Sequence, residues 1–142
     1  MKVVLDTNIL VSALVFPGGR ADIALRRIIE GRDQLLLSKP ILDELLGILA
    51  RKFSRDAEEL AHVAVFLSDL SVVVRPRRKF AVLADEPDNR ILECAVTGGA
   101  DAPQRDTGRS AIIVTGDKAL LALKTFRKVK LLSLRAYLEE VL

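Results

Sequence analysis

Four acidic residues stand where short apolar segments end. Asp6 closes the run Lys2-Val3-Val4-Leu5-Asp6, and Asp117 follows Ala111-Ile112-Ile113-Val114-Thr115 after a single glycine. Glu44 lies in the early turns of the helix that Ser38-Lys39-Pro40 opens, and Asp88 stands just before the helical stretch that begins at Asn89. Taken singly, each has an ordinary reading as a turn residue, a helix cap or a solvated side chain. Brought to one place, four carboxylates would repel one another unless a cation neutralised them. A hard divalent ion such as Mg²⁺ takes carboxylate and water oxygens. There it would acidify a bound water. Cys94 and His62 are the sole cysteine and histidine, so neither an internal disulfide nor a Cys/His zinc site is expected, and any metal must be held by oxygen.

Cations flank the acids. Lys118 follows Asp117, Arg90 follows Asp88 by two, and Arg75-Pro76-Arg77-Arg78-Lys79 forms a basic, proline-broken run. Each is a candidate phosphate contact, and each also fits an ordinary solvated surface. His62 reads as a helix-packing residue and Cys94 as core. Asp43, Asp85, Glu86, Glu93 and Asp101 read as surface or capping residues.

The elements that must position these groups follow from periodicity and punctuation. Strands are expected at residues 2–6, 34–37, 71–74, 111–115 and 130–132. Helices are expected at 9–16, with Thr7-Asn8 as cap, and at 21–30, ended by Gly31. The helix from Ser38 carries the stripe Ile41, Leu42, Leu45, Leu46, Leu49, and Ser54 caps another that buries Leu60, Val63, Ala64 and Leu67. Further helices are expected at 89–97, stopped by Gly98-Gly99, at 118–124, and from Ser133 to the end. Strands alternating with helical crossovers imply an α/β fold with a parallel sheet covered on both faces. In such a sheet the loops after the strands carry the chemistry, and all four acids fall at that edge. The polar stretch 101–110 is longer than the ~2–6 residues usual between a helix and the next strand, so a surface loop is expected there.

At 142 residues the chain reads as one domain, 1–142, with half its residues apolar. No apolar run reaches the ~18 residues of a membrane span, and the opening residues do not read as a signal peptide. A cytoplasmic protein with no membrane contact is the expectation. The net charge of +3 suits a polyanionic partner without requiring one, and 4% aromatic residues argue against a base-stacking module.

Val3-Val4-Leu5-Asp6-Thr7-Asn8-Ile9-Leu10, the Leu42-Asp43-Glu44-Leu45 helix, Asp88-Asn89-Arg90-Ile91-Leu92 with Ala95, and Ile113-Val114-Thr115-Gly116-Asp117 together resemble the PIN-domain family. The resemblance runs end to end and points to the VapC-type toxins of toxin–antitoxin pairs. It implies a three-layer α/β/α sandwich whose central parallel sheet has about five strands in the order 3-2-1-4-5. It also implies an endoribonuclease using Mg²⁺ or Mn²⁺, one or two ions. The family's acidic quartet falls on Asp6, Glu44, Asp88 and Asp117, its small polar residue on Thr7 or Asn8, and its threonine before the last acid on Thr115. RNA as substrate, an antitoxin that covers the acidic pocket, and a homodimer or higher oligomer are implied by resemblance alone. The departure from the family is residues 101–110, about ten extra between Gly99-Ala100 and the fourth strand. A non-toxic PIN nuclease in RNA processing shares all of this chemistry, and an inactive PIN-like scaffold remains a further alternative. A doubly wound nucleotide-binding domain would need a glycine-rich loop after the first strand, and Thr7–Val11 contains no glycine.

Overall fold

The computed structural model describes residues 1–31, 33–100 and 111–140. The loop expected at 101–110 lies outside the described residues, as do the last two positions of the final helix. In chain order the elements are β1 (Lys2–Leu5), α1 (Thr7–Val15), α2 (Arg20–Ile29), β2 (Gln34–Ser38), α3 (Lys39–Phe53), α4 (Ala57–Leu70) and β3 (Val72–Val74). There follow α5 (Glu86–Ala100), β4 (Ala111–Val114), α6 (Lys118–Leu123), β5 (Thr125–Phe126), β6 (Val129–Leu132) and α7 (Leu134–Glu140).

The sheet order is β3-β2-β1-β4-β6-β5. Every pairing is parallel except the antiparallel β5–β6 edge. The expected order therefore holds for the parallel strands, with the strand foreseen at 130–132 now β6 and a two-residue β5 added outside it. That extra hairpin turns through Arg127 and Lys128, both at positive φ (48° and 68°). Without Asn-Gly or Asp-Gly, the usual residues for such a turn, nothing local announces it. The Arg127 guanidinium lies over the rings of Phe80 and Phe126, 5.0 and 5.6 Å from their centroids, which helps hold it.

Val3, Val4, Leu5 and Ile113 are fully buried, as central strands covered on both faces must be. Helix α5 packs along β1, β2, β3 and β4, while α1 packs against α2 and α3.

Several helix ends differ from the sequence expectation. Helix α1 begins directly off β1, and its cap is Asp6, not Thr7-Asn8. Ser38 precedes α3 without making a side-chain cap bond. Ser54 adopts the left-handed conformation that ends α3, and α4 is capped instead by Asp56 in a reciprocal box with Glu59. His62 is exposed on α4, not packed. Helix α5 continues through Gly98-Gly99 to Ala100 instead of stopping there. At Gly98 the glycine serves close packing: a Cβ would meet Leu36 Cδ1 at 2.6 Å and Val74 Cγ2 at 3.0 Å. Leu36 is itself fully buried and has nowhere to move. Gly98→Val should therefore cost about 1–3 kcal/mol from overpacking, read as a lower urea midpoint. An unchanged midpoint would show that the helix and sheet can part without penalty.

Candidate active site

Asp6 is delivered to the sheet edge by β1 and held there by its own backbone. Its N–H donates to Val114 O at 2.9 Å, and its carbonyl receives the N–H groups of Ile9 and Leu10. Its carboxylate is nearly buried, 6% exposed. Oδ1 accepts from Asn8 N–H at 3.4 Å, and Oδ2 accepts from the Thr115 hydroxyl at 2.6 Å. Thr115 is fully buried and positioned by its N–H bond to Leu132 O at 2.9 Å. Its hydroxyl also accepts from Asp117 N–H at 3.0 Å. One threonine thus ties the ends of β1 and β4 together and sets the two aspartates at a fixed offset. Asp117 caps α6, with Oδ1 accepting from Leu120 N–H at 3.0 Å.

Glu44 reaches the same edge from α3, where the Thr7 hydroxyl donates to its Oε2 at 3.4 Å. Asp88, 8% exposed, arrives on the first turn of α5. The acids act on one another. Burial pushes the Asp88 carboxyl up to about 7, helped by the charges of Asp117, Asp85, Asp6 and Glu44. Asp6 is raised by burial and by Asp117, against the lowering effect of its Thr115 bond. Glu44 is raised by burial, Asp6 and Asp85, against Thr7 and Arg51.

A cleft of about 490 Å³ opens beside Asp6 and Asp117, lined also by Asn8, Ile9, Ser12, Gly116, Lys118 and Ala119. Glu44 and Asp88 stand outside that lining. The single four-carboxylate cage expected from the sequence is not formed: among the described residues no three His, Cys, Asp or Glu side chains are arranged to hold one ion. Hydrogen bonds from Thr115, Asn8, the α6 cap and Thr7 hold the Asp6, Asp117 and Glu44 carboxylates in place. The donor set still fits a hard cation, because every ligand is a carboxylate oxygen. Mg²⁺ commonly binds through one or two carboxylates and keeps several waters, so a pair such as Asp6 and Asp117 meets its need.

The comparisons with known proteins decide the family. The PIN domain profile matches residues 2–119. This chain belongs to the PIN-domain family. It is similar to the uncharacterized protein MJ1680 of Methanocaldococcus jannaschii, 32% identical over 132 residues, covering 90% of this chain and 78% of that protein. Its fold is similar to a chain in the structure of VapBC-1 from nontypeable Haemophilus influenzae, with a TM-score of 0.61, 16% identity, and coverage of 95% of this chain and 99% of that one. PIN domains are generally nucleases, and those nucleases generally use divalent metals.

Within this PIN domain the cations divide. Lys118 is exposed at the rim of the acidic cleft. Arg90 is not available in the same way. It pairs with Glu93 at 3.1 Å and Glu86 at 3.3 Å and donates to Phe80 O at 3.3 Å. Glu93, expected at the surface, is 3% exposed and accepts from Phe80 N–H at 2.8 Å. Arg75, Arg77 and Arg78 line a separate groove of about 810 Å³ with Val72, Val73 and Lys2, and Lys79 is exposed nearby.

Three contributors escaped the sequence reading. Asn89 is fully buried: its Oδ1 accepts from Val82 and Leu83 N–H at 3.1 and 2.9 Å, and its Nδ2 donates to Leu83 O at 2.9 Å. This clamp fixes the segment before α5 and so places Asp88. Asp85, set aside as a surface residue, is exposed yet adds its charge to the field on Asp88 and Glu44. Arg51 is the third. The available signals were a lone Glu93 inside the apolar stretch Ile91–Val96 and a glycine, Gly47, in the middle of a strong helix.

Proposed function

We propose that this PIN domain is a metal-dependent endoribonuclease, the toxin of a toxin–antitoxin pair. The observation that carries the reading is the Thr115 clamp, which sets Asp6 and Asp117 side by side at an edge where Asp88 and Glu44 feel the same charge. When bound, a Mg²⁺ or Mn²⁺ ion, or two, supplies Lewis acidity: it acidifies water and offsets charge building on the phosphate. Asp6 and Asp117 would hold it, with Asp88 and Glu44 as direct ligands or as acceptors for its waters. Thr115 keeps the Asp6 carboxylate from rotating, Thr7 orients Glu44, and Asn8 steadies Asp6 through its backbone. Lys118 offers a phosphate contact at the cleft rim.

The test is incubation of the full chain with single-stranded RNA in Mg²⁺, in Mn²⁺ and in chelator. Cleavage confined to the metal-containing samples is expected. Single-stranded DNA belongs in the same experiment, since none of these residues needs a ribose 2′-hydroxyl. The alternative reading is a scaffold that binds RNA without cutting it. RNA retained intact at every metal concentration would select that reading.

The basic run extends the proposal. Arg75 leaves β3 at the same sheet edge, two strands from β1 and so roughly 10 Å away. Arg77 and Arg78 then line the groove that also holds Lys2, at the start of β1, and Gly98, near the end of α5, so an RNA strand would meet them by continuing from that edge down the groove. The paired change Arg77→Ala, Arg78→Ala should flatten the salt dependence of RNA binding by about 0.7 in log–log slope per arginine lost. An unchanged slope removes the run from the RNA path. An antitoxin partner and a homodimer or higher oligomer are also proposed, and Phe16, Ile23 and Ile29, exposed on or beside α1 and α2, supply apolar surface for either. Growth arrest on expression, relieved by such a partner, separates a toxin from an RNA-processing nuclease.

A further inference from the structure

Helix α3 carries Glu44, Gly47 and Arg51 along one wall. Residues 44 and 51 are seven apart, about 700° of helical rotation, so they share a side to within roughly 20°. Arg51 is exposed, but its guanidinium does not extend into solvent away from the helix. It lies back over Gly47: a Cβ built there would sit 2.8 Å from Nη1 and 3.5 Å from Cζ and Nη2. The charge is thereby carried about a turn along the helix toward Glu44, whose carboxyl feels it. A glycine inside a helix is destabilising relative to alanine. Here it leaves the bare backbone on which the arginine rests.

Two neighbouring cations are committed elsewhere. Lys39 pairs with Asp43 at 2.7 Å, and Arg55 pairs with Glu59 at 3.2 Å. Arg51 makes no hydrogen bond or ion pair with a described residue. Service to the α3 C-terminus would require its head near the last carbonyls, whereas it folds the other way. The planar fork of a guanidinium matches two phosphate oxygens at once.

We propose that Arg51, held over Gly47, binds a phosphodiester of the RNA strand beside the scissile bond and so aligns the substrate against the acidic edge. This rests on the nuclease reading above and adds a contact that reading does not contain.

Steady-state cleavage of a single-stranded RNA by the full chain tests it, together with thermal melts. Arg51→Ala should raise KM about tenfold or more, the loss expected for a charge-assisted hydrogen bond, and leave kcat within about twofold. Arg51→Lys should recover part of the loss, because lysine keeps the charge without the fork. Gly47→Ala should also raise KM, by displacing the guanidinium, while holding or raising Tm through better helix propensity. A merely structural arginine would give the reverse, with Tm falling and KM unmoved. Wild-type KM in Arg51→Ala overturns the proposal and leaves the nuclease reading standing. If the wild-type chain cleaves no RNA in any metal, that reading fails first. Fluorescence anisotropy with the same labelled RNA then decides: weaker binding by Arg51→Ala sustains the contact, and equal or absent binding overturns it.

Discussion

Asp6→Asn should reduce metal-dependent cleavage about a thousandfold or more while leaving the metal-free thermal melt unchanged or higher. The first half follows from charge. Asp6 is the carboxylate most firmly set at the edge, and a metal's contribution of several kcal/mol to the transition state, at 1.36 kcal/mol per tenfold, amounts to that factor. The second half follows from burial. The folded chain holds Asp6 in surroundings that disfavour its charge, so replacing a carboxylate with a neutral amide removes a cost. One of the two side-chain bonds survives the exchange: with the amide oxygen turned to the Thr115 hydroxyl, the NH₂ group faces Asn8 N–H and cannot accept from it. The bond lost is the longer one, at 3.4 Å, and its loss offsets part of the gain. Adding Mg²⁺ should raise Tm for the wild-type chain and not for the variant, since a ligand stabilises only the state that binds it. Cleavage by the variant at the wild-type rate would remove Asp6 from the site. A collapse of its melt would make Asp6 a structural cap first.

The second large effect is a reversal of pH dependence by metal. Asp88 is pushed up to about 7, and Asp6 and Glu44 are raised as well. A carboxyl raised in the folded state binds its proton there and not in the unfolded chain, where it titrates near 4. Between about pH 4 and 7 the native state thus holds more protons, and stability falls as pH rises. The metal-free chain should be more stable near pH 5 than near pH 8. A divalent cation needs the ionised carboxylates and competes with those protons. Saturating Mg²⁺ should therefore raise Tm strongly near pH 8 and little near pH 5, and at sub-saturating Mg²⁺ cleavage should fall as pH drops below about 7. Melts across pH with and without Mg²⁺ check both signs. Metal-free stability that rises between pH 5 and 8 would mean these carboxyls are not raised together.

Much of the framework was readable from local pattern. A short apolar run bounded by turn signals reads as a buried strand, and strands joined by helical crossovers read as parallel, so the ends of β1, β2 and β4 were expected at the same edge. That placed Asp6, Glu44 and Asp117 without any coordinates, and Asp88 with them. The serine at Ser133 also caps as its position suggests, accepting from Ala136 N–H at 3.1 Å.

What sequence periodicity could not reach was the choice of partner for each polar group. Arg90 looks like a free cation beside an acid; helix formation alone brings Glu93 and Glu86 to it, and the segment ahead of α5 then folds back so that Phe80 O accepts its guanidinium as well. Thr115 looks like the last residue of a strand until β1 and β4 pair and Asp6 accepts its hydroxyl, 109 positions away. Gly98 looks like a helix stop until the sheet beneath proves too close for a side chain. The β5 hairpin turns through two residues that carry no turn signal, with the rings of Phe80 and Phe126 against Arg127. The amino-acid order by itself determined which edge of the sheet would gather the acids, because strand direction and helical crossover are set by local pattern. Tertiary structure decided which oxygens remain open to a cation, because bonds such as Thr115 to Asp6 and Thr7 to Glu44 form between groups that only folding brings within hydrogen-bond distance.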